Sequence, residues 1–200
     1  MTAAPALPRV VLARHGQTAW SLSGQHTGLT DLPLTAAGEA EARSLAARLQ
    51  AQRFARVLCS PLQRAVQTCA LAGFGTRAEI DGRLVEWHYG DYEGRTSAQI
   101  HALQPGWQLF RDGCPGGETP AQVAQRADSL VGTLRGFDGD TLLFSSGHFL
   151  RMLAVRWLGL PAQAGALLAI DTASLGVLGY EHQVQQPTLR LWNDTGHLVG

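Results

Sequence analysis

Three short apolar runs, each cut off by polar residues, constrain this chain more than any other feature. Residues 9–13 read Arg-Val-Val-Leu-Ala and stop at Arg14-His15-Gly16; residues 56–59 read Arg-Val-Leu-Cys and stop at Ser60-Pro61; residues 141–145 read Thr-Leu-Leu-Phe-Ser and stop at Ser146-Gly147-His148. Such brief, apolar, β-branched segments suit strands buried on both faces, as in a parallel sheet. Helical patterns lie between and after them. From Thr35, an N-cap type, Ala37, Ala40, Leu45 and Leu49 mark an amphipathic helix to about residue 50. Ser60 and Pro61 read as the N-cap and first residue of a helix over 62–71 that carries Arg64 in its first turn. Thr119-Pro120 opens another, with Val123, Ala127, Leu130, Val131 and Leu134 on one face, and residues 149–158 read as a last one. Residues 174–180 and 188–192 are closing strands, antiparallel to each other. The alternation predicts an α/β fold, a three-layer sandwich with a mostly parallel sheet and helices on both faces, in a single domain spanning 1–200. Residues 81–118, rich in Gly, Trp, Tyr and Pro with one short helix near 97–103, are expected to form a functional loop or lid.

Composition narrows the chemistry. The 200 residues are 45% apolar, enough for one core that needs neither disulfide nor metal to fold. All 16 basic residues are Arg, and there is no Lys. Schiff-base chemistry, a pyridoxal phosphate anchor and a Walker-type lysine are therefore excluded. Sixteen Asp and Glu bring the net charge to zero, which argues against nucleic acid as a partner. Cys59, Cys69 and Cys114 are odd in number and lack metal-ligand spacing, as a reducing compartment tolerates. Residues 1–9 lack a basic leader, and no segment approaches the ~18 apolar residues of a membrane span. These readings predict a cytoplasmic protein with no membrane partner; the sequence carries no signal for an oligomeric state.

Polar residues that follow a buried strand sit at its carboxyl end, the edge where open α/β sheets bind ligands. Three strand ends so deliver Arg14, His15, Arg64 and His148 toward one edge, and neighbouring strands about 4.8 Å apart let them converge on a small anion. Two guanidinium forks and two imidazoles suit a phosphoryl group. His15 as neutral imidazole is a nucleophile, and nearby Arg charges oppose its protonation. In the loop 84–94, Glu86 lies among Trp87, Tyr89 and Tyr92, rings expected to desolvate its carboxyl and raise its pKa toward that of a proton donor.

At this point the motifs resemble a known family. Arg14-His15-Gly16-Gln17-Thr18, then Ser60 to Thr68, Leu84 to Gly94, Gly116-Gly117-Glu118-Thr119 and Ser146-Gly147-His148 stand in the order of the histidine phosphatase superfamily, the phosphoglycerate mutase-like enzymes. Trp20 to Asp31, with Trp87 to Gly94 and Arg111 to Cys114, is similar to the fungal sedoheptulose 1,7-bisphosphatase type within it. The resemblance implies a phosphohistidine on His15 and phosphate contacts from Arg14, Arg64 and His148. It implies Glu86 as acid and base, and no metal or other cofactor. It further implies substrate contacts at Ser21, Thr27, Gly28 and Tyr89, and a small phosphorylated metabolite as partner. The expected activity is metal-independent hydrolysis of small sugar phosphates. A mutase that returns the phosphate to sugar, and a catalytically weak phosphate-binding or signalling module, are the alternatives.

Other readings fit less well. A tyrosine phosphatase loop needs five residues between Cys and Arg, and Cys59 to Arg64 has four. A zinc site from His15, His88 and His148 lacks a His-x-x-x-His pair. Trp87 is as well suited to packing as to lining substrate, and His26, His101, His182 and His197 read singly as core or surface residues. Arg111 and Arg151 are candidates for a second phosphate, with a surface salt bridge as the plainer role.

Overall fold

The three apolar runs become adjacent parallel strands. In the computed structural model, which describes residues 7–198, six strands are formed: β1 (Val10–Arg14), β2 (Arg56–Cys59), β3 (Ala78–Ile80), β4 (Thr141–Ser145), β5 (Leu175–Tyr180) and β6 (Pro187–Asp194). Their order is β3-β2-β4-β1-β5-β6. β1, β2, β3 and β4 are mutually parallel, while β5 runs antiparallel to both β1 and β6. Most of the stretch 1–9 read for a leader lies outside the described residues. No helix among those described is long and apolar enough to cross a membrane.

Alternation along each strand sends side chains to two separate cores. Val10 and Leu12 of β1 pack with α6 (Pro120–Arg135) and α7 (Gly147–Trp157), whose Leu130, Leu150 and Leu153 are fully enclosed. Val11 and Ala13 face the other way, onto α2 (Ala36–Leu49) and α3 (Gln63–Leu71) through Leu45, Leu49, Ala65 and Cys69. Each buried Leu or Val stabilises the sandwich by roughly 1.5–3 kcal/mol. Three layers result, as the run-and-helix alternation requires.

Two helix starts differ from the sequence reading, for one physical reason. α3 begins at Gln63 with Leu62 as a cap that makes no side-chain bond, so Ser60 and Pro61 precede the helix. Its first amide, Gln63 N–H, donates to Asp31 Oδ1 at 2.6 Å. α7 begins at Gly147, two residues before expectation, and its early amides at His148 and Phe149 donate to Glu86. In both cases a carboxylate distant in sequence satisfies amides that a local cap ordinarily serves.

Residues 81–118 are no detached lid. They hold α4 (Ser97–Leu103), as expected, and α5 (Leu109–Asp112), and bury Trp87, Tyr89, Trp107 and Phe110 within the α6–α7 core. A short helix unannounced by the apolar pattern, α1 (Ala19–Ser23), follows β1 and is closed by a reciprocal capping box between Thr18 and Ser21. Where β1 ends, the backbone passes extremely close to α2. A Cβ on Gly16 would sit 2.3 Å from the Gly38 carbonyl oxygen, and one on Gly38 would sit 2.1 Å from that of Gln17.

Candidate active site

The site forms where β1 and β4 end side by side. Arg14 pairs in register with Ser145, and the His15 amide donates to the Ser145 carbonyl at 3.0 Å. His15 is 4% exposed and borders a cavity of about 290 Å³. Its Nδ1 lies 2.8 Å from the carbonyl oxygen of Gly16, so Nδ1 carries the hydrogen and donates it. Nε2 is then left with a free lone pair. Burial, followed by the charges of Arg14 and Arg64, holds the imidazole well below its usual pKa. His15 is thus a neutral, oriented imidazole with its Nε2 lone pair available.

Glu86 reaches the same place by capping a helix. Oε1 accepts from the amides of Phe149 at 2.7 Å and Trp87 at 2.9 Å, while Oε2 accepts from that of His148 at 2.9 Å. The carboxyl expected to lie enclosed by rings instead has three backbone donors on it, and it borders the cavity. Oε2, bearing one of the three bonds, keeps acceptor capacity to spare.

His148, in the first turn of α7, is also in the cavity wall. Burial first, then Arg151, His26 and Arg14, depresses its pKa well below the usual imidazole value. The Tyr89 hydroxyl lies 2.5 Å from His148 Nδ1. Burial and the Glu86 charge push the Tyr89 pKa well up, so the phenol keeps its proton. A neutral imidazole meeting a protonated phenol that has no other acceptor takes the bond at Nδ1 and carries its own hydrogen on Nε2. Tyr89, expected to touch substrate, therefore also sets the tautomer of His148.

The arginines divide. Arg14 borders the cavity, donates through Nη1 to the Ile170 carbonyl at 2.7 Å, and has a buried Nε without a partner among the described residues. Arg64 is fully buried and does not line the cavity. It donates to the carbonyls of Thr27, Gly28 and Thr30 and to Ser146 Oγ. Its charge reaches His15, while its hydrogen bonds hold the 27–30 turn. Gly28 belongs to that turn, not to the cavity wall; a Cβ there would fall 2.6 Å from the Trp87 carbonyl oxygen. Ser21 and Thr27 do line the cavity.

Gly24, Gln25, His26, Ser97 and Ile170 line the cavity with no role assigned to them from the sequence. Gln25 stands inside the stretch 20–31 that resembles the family, while Ser97 is marked only as the start of α4. His26, whose ring stacks parallel to His148 with centroids 5.9 Å apart and whose Nδ1 lies 2.9 Å from the Arg95 carbonyl, was distinguished only by nearness to the first motif. Arg111 makes the surface salt bridge, to Asp112, whereas Arg151 turns into the cavity. Cys59 is buried in β2, and a hydrogen bond with Cys69 together with burial raises its thiol pKa, as befits a structural residue. Burial pushes the pKa of Cys114 up to about 12. Among the described residues no three His, Cys, Asp or Glu side chains gather as metal ligands.

An acid phosphatase of Mycobacterium tuberculosis is 44% identical over 194 residues, covering 94% of each chain. Sedoheptulose 1,7-bisphosphatase of Saccharomyces cerevisiae is 35% identical and covers 92% of each. The solved structure of an open reading frame product from Mycobacterium tuberculosis superposes with a TM-score of 0.89 at 41% identity, covering 95% of this chain and 99% of that one. Residues 10–195 match the family model described as histidine phosphatase superfamily (branch 1), and with the fold and site above the chain belongs to that superfamily.

Proposed function

We propose that this enzyme, a histidine-dependent phosphatase acting in the cytoplasm as a single domain over 1–200, hydrolyses monoesters of small sugar phosphates through a phosphohistidine on His15. Sedoheptulose 1,7-bisphosphate and related bisphosphates are candidate substrates. The observation that carries the reading is the state of His15: Nδ1 committed to Gly16, Nε2 free, and the ring neutral beside the Arg14 guanidinium, whose buried Nε has no partner among the described residues. A cavity near the small end for ligand pockets supports a compact substrate.

Each atom then has a place. The phosphoryl group enters against Arg14 and the Nε2–H of His148, with the Arg64 charge behind it. The Nε2 lone pair of His15 attacks phosphorus while the ester P–O bond breaks, and a proton on Glu86 Oε2 passes to the departing oxygen. Water enters in place of the alcohol. Glu86 takes one of its protons, the resulting oxygen attacks phosphorus, the N–P bond breaks, and inorganic phosphate leaves with Glu86 protonated again. No metal or other cofactor is required by these steps.

Rapid quench with labelled ester tests this. A base-stable, acid-labile phosphate should appear on the wild-type protein and be absent from His15→Ala, and free phosphate should exceed isomerised ester. Glu86→Ala should slow alkyl esters by roughly 10²- to 10⁴-fold and aryl esters less, because aryl leaving groups need less protonation. Retained turnover in His15→Ala would overturn the reading.

A further inference from the structure

Arg151 is the one cation at the cavity that the phosphoryl chemistry above does not use. It lies three residues beyond His148 on α7, so its Cα is displaced by about 4.5 Å along the helix axis from that of the phosphate-facing imidazole. Eight arginines of the described residues have a carboxylate within 4 Å, and Arg151 is not among them. It is held all the same. Nε donates to the Gly165 carbonyl at 2.9 Å, and the guanidinium lies over the Phe110 ring at 4.6 Å. Phe110 is itself fixed, since a Cβ on Gly165 would meet its ring at 2.3 Å. Two contacts so orient the fork, while among the described residues neither Nη group has an acceptor. The nearby Glu86 carboxylate favours the cation through its charge but makes no hydrogen bond or ion pair with it among the described residues, its oxygens being held by the α7 and Trp87 amides. Arg14, bordering the same cavity, repels Arg151 rather than neutralising it. A guanidinium that is half-buried, oriented and without a direct ion-pair partner is placed to take an anion.

We propose that Arg151 binds a second anionic group of the substrate, a carboxylate or a second phosphate, so that the preferred esters carry two anions rather than one. This rests on the phosphatase reading and extends it from the transferred group to the rest of the molecule. The alcohol end is met by Arg151, with Ser21, Gln25 and Ser97 in the same wall.

Matched pairs of esters differing by a single anion test it. 3-Phosphoglycerate against glycerol 3-phosphate isolates a carboxylate, and fructose 1,6-bisphosphate against fructose 6-phosphate isolates a phosphate. In the wild type the doubly anionic member of at least one pair should have the higher kcat/KM. Which pair shows it identifies the anion. Arg151→Gln should reduce that advantage by about 10- to 100-fold, chiefly through KM, the usual scale for a charged hydrogen-bonded contact. Arg151→Lys should restore part of it, and Arg111→Gln should leave it untouched. Equal losses for both members of each pair and for p-nitrophenyl phosphate would place Arg151 on the transferred phosphoryl group and overturn the inference. So would a wild-type enzyme without preference. Either result leaves the phosphohistidine in place, since p-nitrophenyl phosphate turnover and its loss in His15→Ala report on that separately. Calorimetric affinities for the same pairs on His15→Ala read the contrast without turnover, so even an inactive protein gives an answer.

Discussion

At the residue scale the site works by keeping imidazoles uncharged among guanidiniums. His15 and His148 both have depressed pKa values because they are buried and face Arg14. As the proposed nucleophile His15 must be neutral to attack, so the acid limb of kcat/KM is expected below pH 6.5, the ordinary imidazole range, in a pH profile with p-nitrophenyl phosphate. An acid limb at or above 6.5 would mean that another group controls the rate. Tyr89 acts one step behind the chemistry. Tyr89→Phe deletes the donor to His148 Nδ1 and is expected to lower kcat by about 2- to 10-fold, the worth of a hydrogen bond between neutral groups. Nitrogen chemical shifts of His148 should then show a mixture of tautomers where the wild type shows Nε2–H alone. Arg14, His15 and His148 were legible at the cavity because each follows a strand end in the local pattern, and Glu86 because it stands in the aromatic loop 84–94 that matches the family. The Arg64 orientation was not, since its acceptors lie in a turn more than thirty residues earlier in the chain. Arg151 was legible as a cation near the mouth; its missing partner and its seat on Phe110 are facts of packing.

At the element scale, precision at the end of β1 comes from backbone crowding. α2 reaches the loop after His15 only because residues 16 and 38 carry no side chain. Gly38→Ala places a methyl against a carbonyl that cannot retreat without moving the 15–18 segment, and a loss of about 1–3 kcal/mol or more is expected in denaturant melts. Activity should fall with it, since His15 moves too; unchanged stability would refute the crowding. The buried strands and long helices were readable because apolar runs and the 3.6-residue period are local properties. β3 escaped notice for the opposite reason: three residues at the sheet edge, two of them exposed, carry no apolar signal. The starts of α3 and α7 were misplaced because Asp31 and Glu86, which serve their first amides, stand 32 and 62 or more residues away.

Across the whole molecule, the same neutral histidines tie stability to pH. Below about 6.5 the unfolded chain takes up protons that folded His15 and His148 refuse. Stability is therefore level above that pH and falls beneath it, by up to about 1.4 kcal/mol per pH unit for each such residue until its native pKa is passed. His26 and His197 act in the same direction. Urea midpoints recorded from pH 7.5 to 5 should decline on the acid side, and His148→Asn should flatten the decline; a level series would contradict the burial of uncharged rings. Glu86 ties the molecule together in another way. The carboxylate proposed to move protons is also the anchor on which the opening turn of α7 hangs. Descendants of this chain that abandon turnover cannot discard that side chain freely, because doing so loosens the scaffold they still need. Selection for mere persistence of the fold would go on preserving the acid long after its chemistry had ceased to matter.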